Sequence, residues 1–135
     1  MIGLPHVPSL AQLDRSFGPG GVGGSTRIWL AAQAADMRCG FDRLADLAKR
    51  VTDQDPLSGH LFLFRSRGGD RLKVLYWDGD GYALWYKRLE AGVFKFPRTM
   101  GDARSVELRP SELAMLLDGI DLRSVKRLPR YAKNK

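Results

Sequence analysis

Asp78 and Asp80 are the residues of this chain whose spacing first suggests chemistry. Two carboxylates two positions apart can share a divalent cation, and Asp-x-Asp-Gly opens a calcium-binding loop. Such a loop closes on a bidentate glutamate, and that position holds Leu89. Asp78-Gly79-Asp80-Gly81 is also what a tight hairpin turn requires, and the turn is the stronger reading. His6 and His60 lie far apart, with no cysteine or carboxylate at metal-ligand spacing. Cys39 is the one cysteine, which excludes an intrachain disulfide and a thiolate cluster. It falls where a strand turns into a helix, the place for a small packed residue rather than a nucleophile. Gly18, Gly20, Gly21, Gly23 and Gly24 lack the Lys-Ser/Thr ending of a phosphate loop. The sequence therefore predicts no catalytic residue, no metal site and no cofactor, and a protein that binds rather than reacts.

The cations are a different matter. The chain has 22 Lys and Arg against 15 Asp and Glu, a formal net charge of +7 and a pI near 9.9. Nucleic acid, an anionic membrane surface or an acidic protein could each meet that charge. With no basic amphipathic helix to lie on lipid, the membrane is the weakest of the three. Between residues 64 and 98, Arg65, Arg67, Arg71, Lys73, Lys87, Arg88, Lys95 and Arg98 are interleaved with Phe64, Tyr76, Trp77, Trp85, Tyr86 and Phe94. Cations beside stacking rings are what a nucleic-acid surface uses for phosphate and base. The predicted contacts are Arg65, Arg67, Lys73, Lys87 and Arg88, joined by Arg123, Lys126, Arg127 and Arg130 near the C-terminus. Trp77, Trp85 and Tyr86 are candidates for docking a protein partner. Whether the cations share a face depends on register. Three-residue loops at 68–70 and 79–81 align Arg65, Lys73 and Lys87; two-residue loops set Phe64 across from Lys73 and divide the charges between faces.

The elements that must position these residues are legible in outline. Residues 1–24, rich in proline and glycine, read as a flexible extension, with a weak helix signal at Ser9 to Phe17. Arg27 to Leu30 reads as a first strand. Phe41, Leu44, Leu47, Ala48 and Val51 repeat at helical spacing, and Asp55-Pro56 marks the stop. Leu61 to Phe64, Leu72 to Trp77, Tyr82 to Leu89 and a short Val93 to Phe96 segment alternate with Gly-Gly and Asp-Gly turns, the signature of an antiparallel meander. Ser105 to Leu108 is a further strand candidate, and Pro110-Ser111-Glu112 opens a helix ending near Gly119. The prediction is one α+β domain over residues 25–121, with a meander of four to five strands, one main helix packed on it and a short C-terminal helix. Residues 122–135 read as a basic tail, either an arm that tracks phosphates or a solubilising end with no specific role. The arm is favoured because six cations without an acid make a strong local field.

Several ordered blocks resemble a known family: Arg27 to Leu30, Asp36 to Leu44, Asp55 to Phe64, Asp70 to Gly81, Trp85 to Glu90 and Phe94 to Pro97. Over about residues 26–97 the chain is similar to the small TnpB-type accessory protein of the insertion-sequence-sixty-six class of bacterial transposable elements. The large RNA-guided nuclease that shares the name is a different protein; this chain is too short for it and lacks its metal-binding cysteines. The resemblance implies a bacterial role in DNA transposition and recombination beside a separate transposase, with no catalytic residues to carry over; a cytoplasmic setting is the default for a chain with one cysteine. Two features depart from the family pattern: the long leader 1–24, and Cys39 where a cation is expected. DNA and the transposase are the implied partners, and the alternative to DNA binding is an adaptor that docks on the transposase. Arg38 is expected to pair with Asp36 or Asp42 and fix the strand-to-helix turn.

Overall fold

The computed structural model describes residues 26–99 and 101–119. The extension 1–24, the helix signal at Ser9 and the tail 122–135 lie outside the described residues.

The two most apolar runs form the middle of the sheet. β2 (Leu61–Arg65) and β3 (Arg71–Trp77) are buried on both faces over Leu61–Phe64 and Leu72–Tyr76. That is why they read as unbroken apolar stretches rather than alternating ones. β4 (Tyr82–Arg88) completes the expected meander, antiparallel to β3. On the other side of β2 lies β1 (Ile28–Ala31), and outside it β5 (Ser105–Leu108), giving the order β4-β3-β2-β1-β5. β1 runs parallel to β2, so the helix between them is a crossover, whereas the other neighbours are antiparallel. The predicted Val93 to Phe96 strand does not form. Its chain is held instead by the Phe94 N–H, which donates to the Gly69 carbonyl at 2.8 Å.

Both turns of the meander contain an even number of residues. Ser66 N–H donates to the Arg71 carbonyl at 3.0 Å, enclosing four residues, and Asp78 N–H donates to the Gly81 carbonyl at 2.8 Å, enclosing two. Gly79 takes φ +85°, the left-handed conformation that a two-residue hairpin with glycine first demands. Phe64 therefore faces Lys73, as the two-residue alternative requires.

The sheet is covered on both sides. α1 (Phe41–Thr52) lays Leu44, Ala45 and Ala48 on Phe62, Phe64 and Leu75. α2 (Pro110–Leu117) brings Leu113 and Leu116, with Phe94, onto Leu63, Val74 and Trp85. Burying Phe62 or Phe64 completely contributes about 1.5–3 kcal/mol each. Phe41, expected on the apolar face of the helix, is its first residue and is 47% exposed, outside the cluster that Leu44 and Ala48 join. The helix also ends before the Asp55-Pro56 signal. Asp53 caps it in the left-handed conformation at φ 58°, which a short polar side chain tolerates. Asp55 begins a separate 3-10 turn, its carboxylate accepting from the Leu57 N–H at 2.9 Å.

Candidate nucleic-acid interface

The even register sends the predicted cations to different places. Lys73 is 6% exposed. Its ammonium donates to the carbonyls of Met37 at 2.7 Å and Cys39 at 2.9 Å and lies 4.8 Å from the centre of the Tyr86 ring. The charge is used within the fold: it ties the loop entering α1 to the sheet, and it is not presented to solvent. Trp85 is 7% exposed and belongs to the core under α2, so it is no docking residue on the surface. Trp77 is half-buried and stacks edge-on against Tyr82, ring centres 5.2 Å apart. Tyr86 remains exposed. Lys87 and Arg88 are exposed on opposite faces of β4, Arg88 paired with Glu90 at 3.0 Å. Arg123, Lys126, Arg127 and Arg130 lie outside the described residues.

Arg65 and Arg67 remain where phosphates could reach them, and the fold gives them company. At the end of the sheet where β1 and β2 finish and β3 and β5 begin, three hollows adjoin. The first is lined by Arg50, Arg104 and Ala34, the second by Arg65, Phe96 and Arg98, and the third by Ala34, Arg67 and Arg71. Ala31, Ala32 and Thr99 line both of the first two, and Ala34 the first and third, so the hollows adjoin around the strand ends. The first lies on the α1 side and the second on the α2 side, and Asp36 and Asp102 stand in the walls beside the six arginines. Arg65 is the fixed point among them. Its guanidinium donates to the Ala32 carbonyl at 2.8 Å and lies 5.9 Å from the Phe96 ring centre. Among the described residues, neither Arg67 nor Arg98 has an acidic group within salt-bridge reach. Arg50 and Arg104 hold exposed acids only loosely, Asp46 at 3.6 Å and Asp53 at 3.5 Å. Guanidinium groups with spare donors in a shallow, open surface suit the oxygens of a phosphodiester chain.

Arg50 and Arg104 were not singled out by the sequence, and Arg71 and Arg98 only as members of a charged run. A helix end, a strand start and two loops carry them, and no local pattern links four such segments. The Asp36 block is structural, as expected. Arg38 pairs with Asp36 at 2.8 Å, and that guanidinium, with the Arg38 N–H, holds the Asp36 carboxyl well below the usual carboxylate range. At the opposite end of the sheet Arg27 grips Glu107 through two bonds of 2.8 and 2.9 Å, keeping the Glu107 carboxyl low as well. Cys39 is a half-buried free thiol packed beside the α1 core. Asp78 and Asp80 are exposed turn residues. No helix among the described residues is long and apolar enough to cross a membrane.

Two comparisons place the chain. The family model described as "IS66 Orf2 like protein" matches residues 26–127. The chain is 45% identical over 101 residues to "Uncharacterized protein y4hO" of Sinorhizobium fredii (strain NBRC 101917 / NGR234), covering 75% of this chain and 86% of that protein. It is 40% identical over 103 residues to "Uncharacterized protein y4jC" of the same organism, covering 76% and 86%. No solved structure matches significantly. With most of its length inside the family match and relatives at these identities, the chain belongs to the IS66 Orf2-like family, which is an accessory rather than a catalytic family of transposition.

Proposed function

We propose that this protein is a non-catalytic accessory factor in the transposition of a bacterial insertion sequence, working beside a separate transposase by binding DNA phosphates through the arginine-lined end of its sheet and its basic C-terminal segment. The observation that carries the reading is that Arg50, Arg65, Arg67, Arg71, Arg98 and Arg104 line three adjoining hollows at one end of the sheet. The surface offers guanidinium donors without a deep pocket, so it supports grip on a backbone rather than readout of a base. Lys73 and Trp85 take no part, since both are buried.

Fluorescence anisotropy with labelled duplex and single-stranded DNA across a salt series tests this. Affinity falls with salt, and Arg67→Ala combined with Arg98→Ala weakens binding to all sequences and flattens the log–log salt slope by about 2. Absence of binding at low salt, with the protein folded, sinks the reading and leaves the adaptor that docks on the transposase.

A further inference from the structure

β4 is an edge strand, and the phase of its hydrogen bonds is fixed by the residues around it. In an antiparallel pair, residues alternate between those that bond across to the partner and those that turn their N–H and C=O away. Gly81 accepts from Asp78, and the Leu89 N–H donates to Asp70 at 2.8 Å, so residues 81 and 89 bond toward β3. Counting in twos along the unbroken register, Ala83, Trp85 and Lys87 bond toward β3 as well. Tyr82, Leu84, Tyr86 and Arg88 turn their backbone groups outward, and no other described strand pairs with them. The edge is seven residues long, with no proline and no bulge to blunt it. The opposite edge, β5, is four residues long and runs straight into Pro110.

Charge and side-chain pattern select the occupant. The turn that leads into this edge carries two acids, Asp78 and Asp80, and the far end carries Lys87 and Arg88, the latter paired within its own chain with Glu90 at 3.0 Å. An edge of that kind is complementary to itself when run antiparallel. Centred on Leu84, the pairing sets Leu84 against Leu84, Tyr86 against Tyr82 and Arg88 against Asp80 of the second copy. Moving the centre one residue to Trp85 sets Arg88 against Tyr82 and loses the charge pair with Asp80. All the outward-bonding residues project on the α1 side of the sheet, where Tyr86 stands 40% exposed and the Lys73 ammonium holds its ring. Cross-strand pairs of aromatic residues, and of opposite charges, are the units that stabilise such a ladder.

We propose that β4 pairs antiparallel with β4 of a second copy of this chain, on a two-fold axis at Leu84, joining two five-stranded sheets into one of ten. This goes beyond the DNA reading and does not depend on it. The contact is isologous and closed, so it stops at the dimer. The ladder of residues 82–86 from each copy is smaller than an obligate interface, and association is reversible.

Sedimentation of the full chain over a range of concentrations reads the association. The expected result is exchange between the 15.1 kDa chain and a species of twice that mass. Asp80→Arg and Arg88→Asp each weaken association about tenfold or more by setting like charges together, and the two combined restore it. Hydrogen exchange on the unmutated chain covers the case of a variant that fails to fold. The amides of Tyr82, Leu84 and Tyr86 gain protection as concentration rises, while those of β5 do not. A chain that stays monomeric up to about 1 mM overturns the proposal. So does a dimer indifferent to the single swaps, a folded double variant that does not recover, or exchange at β4 unaffected by concentration.

Discussion

Lys73 shows how a cation can be conspicuous in sequence and still serve the fold. Its charge meets two carbonyls and a ring and so replaces the water it gives up. Lys73→Met keeps much of the volume and leaves both carbonyls without this donor. We expect it to cost about 2 kcal/mol, lowering the thermal midpoint by roughly 8–16 °C, read by calorimetry. His60 makes a second prediction at this scale. The Arg27 N–H donates to its Nδ1 at 3.0 Å, and burial, with the Arg27 cation, pushes its pKa below the ordinary value. A histidine held neutral binds fewer protons folded than unfolded. Its contribution is therefore present above about pH 6.5 and is lost as pH falls through the lower folded value. The urea midpoint of the wild type should drop between pH 8 and pH 5, and His60→Asn should flatten that drop. Neither environment was legible in the sequence, because each hydrogen-bond partner lies more than thirty residues away.

The elements themselves were largely legible. α1, the three-stranded meander, β5 and α2 all stand where apolar spacing and turn chemistry put them. Register was not, since it turns on whether each loop holds an odd or even number of residues, and Gly68-Gly69 fits either. Glycine at 79 is part of the answer, being the residue that permits the two-residue turn. Gly79→Ala places a Cβ at φ +85°, and although it meets nothing within 4 Å, the backbone strain alone should cost about 1–2 kcal/mol of stability in denaturant unfolding. The missing strand at 93–96 has a similar explanation. Phe94 and Phe96 have strand-like chemistry, but the Phe94 ring closes the core below the sheet instead of extending it. The arginine surface was half visible: Arg65 and Arg67 were named, but the fold alone brought Arg50, Arg98 and Arg104 beside them.

Across the whole molecule the charge is unevenly divided. Residues 26–119 hold 15 Lys and Arg against 13 Asp and Glu, so five of the seven excess positive charges lie outside them. Truncation after Leu122 removes six cations and no acid. If the tail contacts phosphates as proposed, the salt slope of DNA binding should fall by as much as about 5, while the Arg67 and Arg98 effect persists in the shortened protein. The topology has a consequence of another kind. Ile28 and Leu108 are neighbours across the sheet, yet 80 positions separate them in the chain. Synthesis delivers β1 some 80 positions before β5, and until β5 follows, one side of β1 lacks the strand it pairs with. The parallel pairing of β1 with β2 in turn spans the whole crossover that contains α1. The full sheet therefore closes only after β5 has been synthesised, and so distant a pairing is expected to slow folding relative to a fold of local contacts. A chain that stops before Ser105 leaves β1 as an unprotected edge, open to pairing with other chains.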